Sequence, residues 1–360
     1  MRIPLLLLFL FGSLQASGLR GIFDAGWSTY YFGQDSINHL YTRLAAMHIN
    51  EVVLQYGIVE GQHRYYPSTL SFAQNAPDHS TLFPQSITAA HQAGTKLWLG
   101  LYYDDKTWWT PPTHSQLANL ATRNIAMLHE LHSLYGNDTS ITGVYIPQEI
   151  ARYYWQTDSA LNELTQSFLK PVTDTAHFLG FKVMAAPFFN SALETPTQLH
   201  TFMQSLLGQW HPDIINIQDG IGANHVSLSE LGSYLSMVQQ ACVQSDVEFS
   251  VDVELFSGST LASKDRIEAQ IDSAYANKAA EAFGYDLSVL GDDGLLQLMQ
   301  WQTDFTDTPS HTRMTISPPS FHAFHYWHIN GTRVKNKVGS TFDGHGRYVT
   351  EGESTTSISK

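Results

Sequence analysis

The chain has a single cysteine, Cys242, in 360 residues. No intramolecular disulfide can form, and no histidine stands near Cys242 in sequence to lower its pKa, so an inert core or helix position is expected for it. Charged residues are scarce as well, 14% of the total, with 33 acidic against 19 basic side chains and a formal net charge of −14. No Lys/Arg block offers to neutralise a run of phosphates, which makes nucleic acid and anionic membranes poor partners. Several signatures are missing. No G-x-x-x-x-G-K-[ST] loop is present for nucleotide hydrolysis, and no G-x-S-x-G elbow for a serine nucleophile. Gly21 and Gly26 do not make the G-x-G-x-x-G of a dinucleotide-binding first turn. Beyond the first residues no apolar run is long enough to span a bilayer, which takes about 20 residues.

The first residues have a pattern of their own. Met1 and Arg2 precede an apolar run from Pro4 to Leu14, then small residues at Ala16, Ser17 and Gly18. This is the order of a secretory signal, and residues 1–18 are set aside from the fold on that basis. No cysteine follows the run to accept a lipid. The expectation is a secreted or periplasmic protein with no membrane insertion after signal cleavage, large enough to do without disulfide staples.

What is abundant is apolar and aromatic: 43% hydrophobic and 12% Phe, Trp and Tyr. Short β-branched or apolar runs recur at Leu19–Phe23, Glu51–Gln55, Lys96–Leu101, Thr142–Ile146, Lys182–Pro187, Asp213–Gln218, Val247–Glu254 and Ala282–Tyr285. Between them lie stretches such as Leu117-Leu120-Ile125-Leu128-Leu131 and Leu228-Leu231-Leu235-Val238, apolar at helical spacing. Ser36, Ser115, Ser159, Ser227 and Ser263 read as helix starts, and Gly94, Gly136 and Gly180 as helix ends. Eight near-continuously apolar strands alternating with helices predict an α/β fold, a closed (β/α)8 TIM barrel over residues 19–309. Residues 310–353, rich in His, Pro and aromatics near their start, are expected to pack on it as an extension, and residues 354–360 to form a disordered tail.

A barrel of this kind carries its site at the C-terminal ends of its strands. The residues leaving each run are Asp24 and Trp27; Gln55 and Tyr56; Tyr102, Tyr103, Asp104, Trp108 and Trp109; Gln148 and Glu149; Phe188, Phe189 and Asn190; Asp219; Glu254; Tyr285 and Asp286. Hydrolysis of a glycosidic bond needs one protonated carboxyl for the leaving oxygen and one carboxylate to attack the sugar or activate water. Glu149 and Glu254, on strands that face each other across the mouth, fit that pair. Aromatic faces pack on pyranose rings while Gln, Asn and Asp hold hydroxyls. Asp24, Trp27, Gln55, Tyr56, Tyr102, Asp104, Trp109, Gln148, Phe188, Asn190, Asp219 and Tyr285 are therefore the candidate sugar-binding residues. Asp219 also suits a turn cap between Gly220 and its neighbours. The histidines at 322, 325 and 328 match no known ligand pattern, so no metal and no cofactor is expected.

The strings Gly143-Val144-Tyr145-Ile146-Pro147-Gln148-Glu149-Ile150 and Ile217-Gln218-Asp219-Gly220-Ile221-Gly222, with Val251-Asp252-Val253-Glu254-Leu255-Phe256, resemble a family of exported bacterial TIM-barrel proteins of unknown function regarded as candidate glycoside hydrolases. Similarity to the wider clan of retaining barrel glycosidases implies that Glu149 is the acid/base and Glu254 the nucleophile of a double displacement on a polysaccharide or oligosaccharide. That clan carries Asn before its acid/base residue, where this chain has Gln148. Two alternatives stay open: an inverting hydrolase using Glu149 and Asp219, and a carbohydrate-binding barrel without catalysis. The burial of Glu149 among aromatics and the charge of Glu254 are both expected to raise the Glu149 pKa.

Overall fold

A computed structural model describes residues 18–306, apart from 105–107 and 109–111, together with 340–342 and 348–350. Eight parallel strands close a barrel: β1 (Gly21–Asp24), β2 (Glu51–Leu54), β3 (Lys96–Gly100), β4 (Ile141–Ile146), β5 (Lys182–Ala185), β6 (Ile214–Gln218), β7 (Glu248–Glu254) and β8 (Ala282–Tyr285). Each strand pairs with its sequence neighbours, and β8 returns to β1 with Phe283 opposite Gly21. The expected (β/α)8 TIM barrel is the fold.

Helices α1 (Gln34–Ala46), α2 (Leu82–Ala93), α3 (His114–Tyr135), α4 (Asp158–Leu164), α5 (Lys170–Phe178), α6 (Pro196–Leu207), α7 (Leu228–Gln244), α8 (Lys264–Ala276) and α9 (Gly291–Thr306) alternate with the strands. A π-helical turn, Thr165–Leu169, joins α4 to α5 in the fourth crossover. Three helix starts differ from expectation. α1, α3 and α4 begin at Gly33, Thr113 and Thr157 rather than at Ser36, Ser115 and Ser159. At α3 the reason is a capping box: Thr113 and Gln116, three apart, satisfy each other's end groups, so the helix starts before the serine is reached. Ser227 and Ser263 do hold the cap positions of α7 and α8. Gly94 ends α2 in the left-handed region at φ 73°, where a side chain would be strained.

Strand alternation builds two cores. Phe23, Val53, Trp98, Tyr145, Met184, Ile214 and Phe283, one from each strand except β7, form a buried cluster inside the barrel. Their strand neighbours, such as Ile22, Val52, Leu97, Val144 and Val183, join the large cluster between barrel and helices. β7 is the exception. Its Val251 and Val253 face that outer layer, which turns Ser250, Asp252 and Glu254 inward.

The loops at the C-terminal ends carry additional structure. Ile58–Val59 pairs with His63–Arg64 and with Tyr102–Tyr103 in a small three-stranded sheet beside the mouth. Among the described residues no helix is long and apolar enough to cross a membrane. Residues 1–17, Trp109, the histidines at 322, 325 and 328 and the tail lie outside the described residues. So does the 310–353 segment, except for an antiparallel hairpin of Ser340–Phe342 with Tyr348–Thr350.

Candidate active site

β4 and β7 deliver Glu149 and Glu254 to one pocket, which Phe188, Gln218, Ala223, His225, Asp252, Phe256 and Tyr285 also line. Glu254 is buried at the last position of β7, whereas Glu149, three residues past β4, keeps part of its surface open.

Several elements fix the two carboxyls. The indole of Trp108 donates to the Glu149 carbonyl at 2.9 Å, pinning the main chain of the β4 exit. The Gln218 side chain hydrogen-bonds the Glu149 carboxyl. The Glu254 Oε2 accepts the Ala223 backbone N–H at 2.7 Å. That contact depends on Gly222, where a Cβ would stand 2.8 Å from the Phe256 carbonyl and 3.0 Å from the Glu254 Cβ. From α8, one turn apart, Arg266 and Gln270 brace the end of β7: Arg266 donates to the carbonyls of Glu254 at 2.5 Å and Phe256 at 2.7 Å, and Gln270 to that of Glu254 at 3.2 Å.

Burial governs the acidity. It raises Glu149 from 4.5 to about 7, with the Gln218 hydrogen bond pulling the other way. Asp252 is raised by burial first and then by the charges of Glu254, Asp219, Glu149 and Asp286. Glu254 itself is raised by burial and then by the charge of Asp219, against the Ala223 N–H and Arg266.

The other candidate residues separate into those at the pocket and those around it. Phe188 and Tyr285 are on its wall. Tyr285 donates to Gln55 Oε1 at 3.2 Å, tying the β8 and β2 ends together. Gln148 is buried; its amide N–H donates to the Tyr102 carbonyl at 2.8 Å and its Oε1 has no partner among the described residues. Trp27 and Tyr56 pack on each other with ring centroids 5.6 Å apart, and Tyr56 on Tyr103 at 5.3 Å. Asp104 follows the Tyr102–Tyr103 strand, where its carbonyl accepts the Trp108 N–H at 3.1 Å. Asn190 accepts the Ala192 N–H at 2.9 Å, shaping the loop before α6. Tyr102 donates to Glu60 at 2.5 Å in a cluster with Arg123. Asp24 closes its own turn through Gly26 and Thr29. Asp219 sits behind the pocket: Oδ1 accepts from Ile221 N–H at 3.1 Å and Glu254 N–H at 3.4 Å, and Oδ2 from Gln270 at 2.5 Å.

Sequence reasoning missed Gln218, His225, Asp252, Phe256, Arg266 and Gln270. The polar alternation Ser250-Asp252-Glu254 was a usable signal for Asp252. The two α8 side chains carried none, since their partners lie on other elements.

The chain belongs to the DUF4434 family, a domain of unknown function, whose model matches residues 20–291. No protein of curated function matches the sequence. Among solved structures it is similar to a proposed alpha-L-fucosidase from Bacteroides thetaiotaomicron, at 16% identity and TM-score 0.65 over 81% of this chain and 93% of that one. It is similar also to an endo-1,4-beta-D-mannanase from Thermotoga petrophila, at 11% identity and TM-score 0.54 over 79% and 99%. A third is an endo-beta-1,4-mannanase from a Bacillus species, at 13% identity and TM-score 0.51 over 81% and 86%. At these identities the likeness is one of fold.

Proposed function

We propose that this protein is an exported glycoside hydrolase, secreted or periplasmic, that cleaves an oligosaccharide or polysaccharide by double displacement. The observation that carries this reading is that Glu149 and Glu254, at the ends of β4 and β7, line one pocket whose other walls include Phe188, Phe256 and Tyr285. The barrel's likeness to glycosidase structures supports it at the level of fold.

Glu149, its pKa raised to about 7 by burial, is the acid that gives its proton to the glycosidic oxygen as the bond to the anomeric carbon breaks. Glu254, aimed by the Ala223 N–H, forms the new bond to that carbon. In the second step Glu149 takes a proton from water, whose oxygen displaces the Glu254 carboxylate and releases the sugar. Gln148 offers its free Oε1 to a sugar hydroxyl. Asp219 has hydrogen bonds to both oxygens and stands off the pocket wall, which favours Glu254 over Asp219 as the second carboxyl.

The test is a panel of aryl glycosides and oligosaccharides assayed with the full chain and with Glu149→Gln and Glu254→Gln. Each substitution is expected to lower turnover by about 10^3-fold or more with folding intact. NMR of fresh product should show retention of the anomeric configuration. Sugar binding without turnover, indifferent to Glu149→Gln, would replace this reading with a non-catalytic carbohydrate-binding barrel.

A further inference from the structure

β7 carries a carboxyl that the two-glutamate chemistry leaves unused. Asp252 stands two residues before Glu254 and so faces the same interior. The register sets it beside Gln218 of β6 and Phe283 of β8. It lines the pocket, is 2% exposed, and its Oδ1 has no hydrogen-bond partner among the described residues. Deeper in the barrel the Oγ of Ser250 and both amide atoms of Asn216, residues paired with each other in the register, have no partner among the described residues either.

A buried polar group left unpaired costs about 1–3 kcal/mol, and the neighbouring β8 carries the apolar Phe283 at the paired position. Such a group is explained where its partner arrives with a ligand. Burial and the charges of Glu254, Asp219, Glu149 and Asp286 together hold the Asp252 pKa well above the usual carboxylate range. Its ionised form is thus disfavoured, which makes it a poor nucleophile.

We propose that Asp252 is a further substrate-contacting residue: its carboxyl forms the floor of the pocket and hydrogen-bonds a ring hydroxyl of the sugar whose anomeric carbon lies between Glu149 and Glu254. This inference rests on the glycosidase reading and adds a determinant of which sugar is accepted. A buried carboxyl oxygen without a partner among the described residues, on the pocket wall, fits a hydroxyl, which can both donate and accept.

The experiment uses the full chain and whichever aryl glycoside the panel shows to be cleaved, with the series of monodeoxy versions of that sugar. Asp252→Ala is expected to lower kcat/KM about tenfold or more on the complete sugar. On the one monodeoxy substrate that lacks the contacted hydroxyl, the loss should shrink to about twofold or less, because there is no bond left to remove. Asp252→Asn, which keeps the shape and an acceptor oxygen, should recover most of the activity. An equal loss across every monodeoxy substrate, or no loss at all with Asp252→Ala, overturns the proposal while leaving the two glutamates in place. If Asp252→Ala does not fold, the same comparison is made with Asp252→Asn, where any loss must again be confined to one hydroxyl. If the wild type binds sugar without cleaving it, the glycosidase reading fails and affinity replaces kcat/KM: equal binding by wild type and Asp252→Ala then overturns the proposal, and weaker binding confined to the complete sugar sustains it.

Discussion

β1 and β7 both end in a buried carboxyl, and the two are held in opposite ways. Asp24 takes the Gly26 N–H at 2.8 Å and the Thr29 hydroxyl at 2.7–2.8 Å, partners within five residues of it. Glu254 takes the N–H of Ala223, thirty-one residues away, and its main chain is braced from α8. Burial raises both, Asp24 to about 6. Perturbed acidity therefore does not distinguish a turn-forming acid from a pocket acid. The distinction lies in where the hydrogen bonds come from: Asp24 is held inside its own loop and is not on the pocket wall, whereas Glu254, positioned by neighbouring loops, lines it.

The largest break in this comparison should come at Gly222. A methyl at Gly222→Ala meets the Phe256 carbonyl at 2.8 Å and the Glu254 Cβ at 3.0 Å, and both are held by the Arg266 contacts. The loop is expected to shift and take the Ala223 N–H with it. A displacement of about 1 Å at a reacting group costs on the order of 100-fold in rate, so kcat should fall by about that factor, with a smaller change in thermal stability. Steady-state kinetics beside a melting curve separates the two.

The Glu149 pKa makes a claim about stability. Its folded value, about 7, lies above its ordinary 4.5. Between those values the folded state holds a proton that the unfolded chain has released, so stability falls as pH rises through this window. Glu149→Gln removes that cost. The substituted protein should be more stable than the wild type near pH 8 by about 1–3 kcal/mol, and the gain should shrink toward zero near pH 4, where Glu149 is protonated in both states. Urea titrations at the two pH values check it; a gain that does not depend on pH would place the effect in packing rather than charge.

Asp219→Asn is the next smaller effect. It takes a negative charge from behind Glu254, and that charge is the second cause of the raised Glu254 pKa. With it gone Glu254 ionises at lower pH, so the acidic limb of the kcat/KM profile should move to lower pH. An unmoved limb would detach Asp219 from Glu254 and return it to the role of a turn cap.

Much of this architecture was legible in the chain, and the reason is periodicity. Lys96, Lys182 and Ala282 begin their strands where the apolar runs begin, and all eight runs became barrel strands. Glu149 and Glu254 were legible because a barrel converts position along a strand into position at the mouth. Legibility failed where contacts are long-range. Arg266 and Gln270 look like ordinary polar residues on an exposed helix face, yet their partners, Asp219 and the carbonyls of Glu254 and Phe256, belong to the ends of β6 and β7. Tyr102 read as a rim aromatic because the three-stranded sheet that absorbs it is built from the β2 loop as well, a pairing no local pattern announces. Asp252 was legible only in the alternation Ser250-Asp252-Glu254, with Val251 and Val253 facing the other side.

The smallest expected effect lies at the β1 end of the comparison. Thr29 is 3% exposed, and its hydroxyl stands within hydrogen-bond distance of both oxygens of Asp24. Thr29→Val keeps the shape and removes that donor, leaving the buried carboxyl with the Gly26 N–H. Loss of a hydrogen bond to a buried charged group costs about 1–3 kcal/mol. Asp24 can recover part of this by holding its proton, so the cost should be lowest in acid and grow as pH rises past its folded value of about 6. Because no bond of this turn reaches the pocket wall, kcat/KM should stay within about twofold of the wild type. If Thr29→Val instead lowers turnover as far as Gly222→Ala does, Asp24 belongs to the sugar pocket after all, and the two strand ends differ in degree rather than in kind.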